Sequence, residues 1–398
     1  MAVNRDRWSG NTVFVLASIG SAIGLGNVWR FPHLCYKHGG GAFLVAYVFA
    51  LLTAGIPLLM LEFGLGNMTQ RGAPGAFHKV RKWLEPMGWW AILVGFAVVC
   101  YYVVIMGWCV DYLCYAFKGS WGTNTKDFFF GEFLGITDGP YTLGTFRWPI
   151  FLGMLVSWAL IVACIWKGAT TVGKVVWVTV LVPWFILLVF VVRGVTLPGA
   201  GAGLKVYLSP VWSKLLDPGL WVAAYGQVFY SLSVGFGIMI AYASFMPKRS
   251  NLVRDALLIA TGDAMTAIVG GFAVFGALGN MAAIEGKAVT EVVTKSLSLA
   301  FVAYPKIINS LPGGAWVSLI FGVLFFLMLI TLAVDSAFSL TEAVCAGIRE
   351  KWGLSHMAAN LSVAGVGIIL GLVFCFGGGL YWLDIVDHWI EFYGISMV

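Results

Sequence analysis

Among the carboxylates inside long apolar runs, five stand out: Glu62, Asp263, Asp335, Asp384 and Asp387. A charge held in such a run is costly, and by default it marks an ion, proton or ligand site. Asp335 and Ser336 close the stretch Ile330-Thr331-Leu332-Ala333-Val334-Asp335-Ser336. A carboxylate, a hydroxyl and a nearby carbonyl make an oxygen set suited to a hard cation such as sodium. The competing reading is a carboxylate that caps a neighbouring helix end. Asp263, in Gly262-Asp263-Ala264-Met265-Thr266, serves equally as a second cation ligand or a proton acceptor, against a salt bridge to a nearby Lys or Arg. Asp384 and Asp387 are one helical turn apart. Either one meeting Arg30 over a cavity would form a gate that opens and closes with hydration, against a static surface pair of small energy.

The element that must bring these groups together is a broken apolar segment, Gly20-Ser21-Ala22-Ile23-Gly24-Leu25-Gly26-Asn27-Val28-Trp29-Arg30-Phe31-Pro32. It follows the helix-like run Val13-Phe14-Val15-Leu16-Ala17 and carries three glycines in seven residues, then Asn and Arg. Each glycine weakens a helix by about 1 kcal/mol relative to alanine. Freed carbonyls and N–H groups are tolerated at membrane depth only where the backbone lines a protected cavity. Such carbonyls suit a cation, and N–H groups at the next helix start suit a carboxylate. Gly20 and Gly24 also fit a small-residue packing face. A dinucleotide loop is excluded, because an apolar helix precedes Gly24-Leu25-Gly26 and the third glycine is absent.

Composition sets the class. Of 398 residues, 60% are hydrophobic and 11% charged, against roughly 25% charged in soluble domains. The chain reads as an all-α polytopic membrane protein, with the lipid bilayer as partner. The net charge of +6 bears on topology and not on nucleic acid. No cleavable leader is expected, because the first segment runs into the break and not into a small-residue cleavage site. The seven cysteines lack metal-ligand spacing and read as packing residues. Ten apolar segments are expected near 11–37, 41–70, 88–117, 147–166, 172–194, 220–246, 252–280, 315–348, 357–377 and 379–398, each able to span about 30 Å of hydrocarbon. Lys and Arg cluster at the N-terminus and in the short loops near Arg71, Lys82, Lys167, Lys248 and Lys351. By the weight that short loops carry, the N-terminus is cytoplasmic and the protein lies in the cell (inner) membrane.

The sixth segment repeats the pattern of the first. Gln227-Val228-Phe229-Tyr230-Ser231-Leu232-Ser233-Val234-Gly235-Phe236-Gly237 places small polar residues before a Gly-x-Gly pair in mid-span. Five spans separate the two, so they enter the membrane from opposite sides. Residues 1–195 and 196–398 are therefore expected to form an inverted repeat of five plus five helices, with helices 1 and 6 unwound at the midplane. Interrupted helices at matching places in two halves point to a midplane site in a secondary transporter.

These motifs resemble the neurotransmitter:sodium symporter family, particularly its bacterial amino-acid transporters. The likeness rests on the 20–32 stretch followed by Gly39-Gly40-Gly41-Ala42-Phe43, on 231–237 and on 329–336, in order along the chain. It implies two sodium sites. The first would use Ala22, Asn27, Ser231, Asp263 and the substrate carboxylate, and the second Gly20, Ile23, Leu332, Asp335 and Ser336. The substrate pocket would comprise Ser21, Ala22, Leu25, Gly26, Val98, Tyr102, Tyr230, Ser231, Ser233, Phe236, Ser336 and Leu340. Tyr102 and the Leu25 and Gly26 amides would clamp a carboxylate. Arg30 with Asp387, and Tyr102 with Phe236, would form an outer gate. Arg5 with Glu350 would form an inner latch, and Trp8 a plug. Glu62 would brace the unwound backbone. Family members have eleven or twelve spans, so the family's C-terminal helices are expected to be missing here, with the tenth truncated.

Two positions refine the expectation. Monoamine members carry Asp at the position of Gly24; glycine there leaves room for the substrate's own carboxylate, which implies an α-amino acid. Chloride-dependent members hold the anion near the positions of Tyr47, Gln227, Ser231 and Asp263, with Asn at the last. A fixed carboxylate at Asp263 repels a second anion, so chloride independence is expected, with proton antiport if Asp263 protonates on the return step. Val98, Phe236 and Leu340 favour an aliphatic or aromatic side chain. The expected function is sodium-coupled symport by alternating access. The alternative is an amino-acid sensor on the same scaffold. An enzyme is not expected, because His33, His38, His78, His356 and His388 are scattered near span ends with no catalytic or metal cluster.

Overall fold

In the computed structural model, the structure describes residues 7–248, 250–289, 296–390 and 394. The described residues are helical and loop, with isolated bridges at Gly40–Pro210 and Phe146–Phe376 in place of a sheet. The chain starts with three short helices, α1 (Asn11–Ala22), α2 (Leu25–Val28) and α3 (Arg30–Lys37). Next come α4 (Gly41–Thr69), α5 (Ala73–Val80), α6 (Lys82–Lys118), α7 (Trp148–Cys164) and α8 (Ala169–Thr196). The second half contributes α9 (Ala200–Leu208), α10 (Pro218–Ser231), α11 (Ile238–Ser244) and α12 (Leu252–Glu285). After α13 (Tyr304–Asn309) it closes with α14 (Gly314–Trp352), α15 (His356–Cys375) and α16 (Gly379–Trp389).

Six of these helices are long and apolar enough to cross a membrane: α4, α6, α8, α12, α14 and α15. The other expected segments are the shorter α7, the terminal α16, and the two broken spans α1–α3 and α10–α11. The lipid-facing sides explain why the sequence is apolar nearly all round. Phe185, Leu188 and Val192 on α8, and Ile369 on α15, are exposed, as a bilayer-embedded surface requires. The most buried of these helices, α6 and α12, hold the interior. Helix α14 packs along α6, and α12 lies against α1, α8 and α9.

Both breaks follow from local backbone chemistry. Helix α1 ends at Ala22, and Ile23 (φ −81°, ψ 101°) and Gly24 (φ −122°, ψ −171°) are extended. Helix α10 ends at Ser231; Ser233, Gly235 and Gly237 then take φ of +55°, +87° and +72° before α11 restarts at Ile238. A serine at positive φ is disfavoured by about 1–2 kcal/mol. It is held here by a hydrogen bond from Ser233 Oγ to the Ser21 carbonyl at 3.1 Å, so the two breaks lock each other.

Candidate functional site

At the first break, three backbone donors leave the helical ladder. The Gly24 N–H donates to Asn27 Oδ1 at 3.3 Å, and the Leu25 N–H to the Tyr102 hydroxyl at 3.3 Å. The Asn27 N–H donates to the Gly24 carbonyl at 3.1 Å. An unbroken helix would have directed these donors to the carbonyls of Gly20, Ser21 and Ile23. The Ser21 carbonyl is taken up by Ser233 Oγ and by Ser336 Oγ, the latter at 3.2 Å. The Gly20 and Ile23 carbonyls are released.

Around Asp263 the polar groups close on one another. Asn27 Nδ2 donates to Asp263 Oδ1 at 2.8 Å, and Ser231 Oγ lies 2.7 Å from both carboxylate oxygens. Ala22, Tyr47 and Gln227 are buried. The Tyr47 hydroxyl lies within interaction range of Asp263 and Ser231. Gln227 Oε1 is buried without a hydrogen-bond partner. Three helices, α2, α10 and α12, supply this cluster.

The second cluster is different. Asp335 on α14 is 1% exposed, and its Oδ1 has no hydrogen-bond partner. Its Oδ2 lies so close to α1 that a Cβ added to Gly20 would sit 2.5 Å from it, and 2.8 Å from Val180 on α8. Glycine at this position is therefore required by close approach. It lets α1 pack directly on the buried Asp335 carboxylate and on Val180. Ile23 and Leu332 are buried nearby in sequence on either side. Ser336 Oγ reaches α1 at Ser21, and a Cβ on Gly24 would meet Ser336 Oγ at 2.8 Å and the Tyr102 hydroxyl at 3.2 Å. An Asp in place of Gly24 would have no room without displacing both.

Between the clusters lies a cavity of about 220 Å³. All twelve expected substrate-contact residues line it, from Ser21, Ala22, Leu25 and Gly26 through Val98, Tyr102, Tyr230, Ser231, Ser233 and Phe236 to Ser336 and Leu340. Arg30, Asp384 and Asp387 line it as well. Arg30 stacks over the Tyr230 ring, with Cζ 4.4 Å from the centroid. Asp387 accepts a hydrogen bond from the Tyr101 hydroxyl at 2.6 Å. Phe236 makes its aromatic contact with Tyr230, centroids 5.7 Å apart. At the other end, Trp8 is buried, its Nε1 donating to the Tyr242 carbonyl at 2.9 Å. Glu350 accepts from the Gly72 N–H at 3.0 Å. Arg5 lies outside the described residues. Glu62 accepts from the Gly235 N–H at 2.7 Å, which places a carboxylate on the second break.

Sequence reasoning passed over two members of the site. Ser339 accepts from Ser21 Oγ at 2.8 Å; its signal was its place one turn beyond Ser336. Tyr101, which holds Asp387, was hidden by its neighbour Tyr102. A third polar group, Asp111 on α6, is half-buried with a shielded, unpartnered Oδ2 and packs against Gly153 on α7, outside this cavity.

Two interrupted helices lining one cavity, inside a bundle of long apolar helices, define a membrane carrier architecture. Comparison with known proteins agrees. The model of the sodium:neurotransmitter symporter family matches residues 5–126 and 121–398. An uncharacterized sodium-dependent transporter of Methanocaldococcus jannaschii is 40% identical over 393 residues, covering 98% of this chain and 79% of the relative. The sodium- and chloride-dependent GABA transporter 2 of Rattus norvegicus is 34% identical over 424 residues, covering 97% of this chain and 70% of the relative. Its counterpart in Homo sapiens is 33% identical, with the same coverage. The chain belongs to the sodium:neurotransmitter symporter family, a family of sodium-dependent transporters and not of enzymes.

Proposed function

We propose that this protein couples sodium to the uptake of a hydrophobic α-amino acid by alternating access, without chloride. The observation that carries this reading is Asp335. It is a buried carboxylate with one oxygen unpartnered and the other against the break in α1, where the Gly20 and Ile23 carbonyls leave the ladder. A buried charge without a counter-charge costs several kcal/mol, and a sodium ion held by Gly20, Ile23, Leu332, Asp335 and Ser336 removes that cost. A second sodium fits at Ala22, Asn27, Ser231 and Asp263, with the substrate carboxylate as its remaining ligand. That shared ligand makes ion and substrate bind cooperatively.

The substrate carboxylate is placed at the Leu25 and Gly26 amides and the Tyr102 hydroxyl, with its side chain toward Val98, Phe236 and Leu340. Asp263 supplies the fixed negative charge beside Tyr47, Gln227 and Ser231, where the family resemblance locates the anion of chloride-dependent members. Residues 1–195 and 196–398 act as the two inverted halves. The N-terminus is cytoplasmic in the cell membrane, with Trp8, Arg5 and Glu350 at the inner closure and Arg30 with Asp387 at the outer one.

The test is equilibrium binding of radiolabelled leucine, tryptophan and GABA to purified protein, in sodium or choline and with chloride or gluconate. Binding of leucine or tryptophan that needs sodium and ignores chloride supports the proposal. Equal binding in sodium and choline contradicts the coupling and favours the sensor. Retention of GABA alone contradicts the α-amino-acid assignment.

A further inference from the structure

A second cavity, of about 420 Å³, opens at the end of the molecule where Glu350 lies. Its walls are the turn after α4, the helix α5, the first turns of α6 and the last turns of α14. Three cations stand on these walls, Arg71, Lys79 and Lys351, with His78 beside them, against two carboxylates, Glu85 and Glu350.

The carboxylates are already engaged. Glu85 pairs with Lys351 at 2.6 Å and with His78 at 2.7 Å, and accepts from Trp89 Nε1 at 3.2 Å. Glu350 Oε1 takes the Gly72 N–H. Of the cations, Lys351 is thereby matched, and Arg71 and Lys79 face no carboxylate partner among the described residues. Lys79 Nζ meets the Thr69 carbonyl at 3.2 Å, and the Arg71 guanidinium makes no hydrogen bond or ion pair among the described residues. Arg81 and Lys82 follow on the exposed stretch that joins α5 to α6. The concavity thus carries a surplus of positive charge, with an arginine fork turned to no protein acceptor. That is the chemistry that recognises a phosphate oxygen.

The surroundings identify the source of the phosphate. The cavity lies where one candidate span begins, at Lys82, and another ends, at Trp352. Trp83 is 70% exposed and Trp352 is 62% exposed, and Trp352 packs on Trp89 with ring centroids 5.3 Å apart. Tryptophans at span ends sit at the level of lipid headgroups, and basic clusters beside spans attract anionic lipids. We propose that this cavity binds the phosphate headgroup of an anionic phospholipid through Arg71 and Lys79, with the acyl chains passing Trp83 and Trp352. The bound lipid ties the turn after α4 to the end of α14, next to Glu350.

Native mass spectrometry of the full chain in detergent tests this, with equal amounts of phosphatidylglycerol and phosphatidylcholine of identical acyl chains. The expected result is retention of phosphatidylglycerol over phosphatidylcholine by about fivefold or more, reduced to within about twofold in Arg71→Gln with Lys79→Gln, and reduced less in Arg71→Lys, which keeps the charge and loses the fork. Arg71→Gln alone, at an exposed side chain, gives the same direction should the double variant not fold. Equal retention by the wild type, or a preference that survives both Gln variants, overturns the proposal. Displacement of the lipid by millimolar inorganic phosphate overturns the lipid assignment in favour of a free-anion site.

Discussion

The two intramembrane aspartates Asp263 and Asp335 are both buried, and they are held in opposite ways. Asp263 is enclosed by its own neighbours, with Asn27 and Ser231 donating to it at 2.7–2.8 Å. Asp335 keeps one oxygen without a partner and presses the other against a glycine. A carboxylate already surrounded by donors is stable as part of the scaffold. One with an oxygen left unpartnered destabilises its surroundings until a cation arrives, because an unsatisfied buried polar group costs about 1–3 kcal/mol and a charged one more. Under the proposed function, this contrast gives Asp335 the stronger dependence on sodium and leaves the exclusion of a second anion to Asp263.

Substitutions can break or sharpen that contrast. The largest effect is expected for Asp335→Ala, which removes the sole carboxylate of the second cluster. Sodium-dependent binding should fall by two orders of magnitude or more, on the order of 3 kcal/mol, in a protein whose thermal melting in choline is unchanged or raised. Melting lowered in choline would show Asp335 to be structural. Gly20→Ala comes next. Its methyl group would meet Asp335 Oδ2 and Val180, and overpacking of this kind costs about 1–3 kcal/mol, so sodium affinity should drop about tenfold when read by sodium titration of amino-acid binding.

Tyr102→Phe deletes the hydroxyl that accepts from the Leu25 N–H. Loss of one such bond, worth about 1 kcal/mol, should raise the substrate KM about fivefold while sodium affinity changes less. Asp263→Asn keeps a side chain that can still accept from Ser231. It should alter sodium affinity by only a few-fold, near 1 kcal/mol, and should make uptake respond to chloride when gluconate is exchanged for it. Uptake still indifferent to chloride would remove Asp263 as the anion-excluding group. The smallest change is expected for Ser233→Gly. Relief of a positive-φ serine, about 1 kcal/mol, offsets the lost bond to Ser21, whose carbonyl still receives Ser336 Oγ. Thermal melting should stay close to the wild type.

Much of this arrangement was legible in the sequence, for physical reasons. Glycines and an Asn inside an apolar run announce a helix that cannot continue, so the break at Ile23 and Gly24 could be read directly. An acid in an apolar run announces itself by its cost, so Asp263 and Asp335 stood out. Groups whose role depends on partners from distant helices were less visible. Ser339 looks like any serine in a membrane helix, and only the structure shows it bonded to Ser21. Tyr101 and Tyr102 are adjacent and chemically identical, yet a helix turns them about 100° apart. One faces Asp387 and the other the Leu25 amide. Glu62 also stood out as an acid in an apolar run, but its role came only through family likeness, because its contact with the Gly235 N–H requires the packing of α4 on the second break. The Arg71–Lys351 cavity could not be read at all, since its cations come from three separated stretches.

The most direct test of sodium coupling through Asp335 is uptake of labelled leucine into proteoliposomes under an imposed inward sodium gradient, with a potassium-filled lumen and choline outside as the control. The account predicts transient accumulation above equilibrium in the wild type, abolished by choline and by Asp335→Ala. Accumulation that persists in Asp335→Ala, or that proceeds equally in choline, would contradict it.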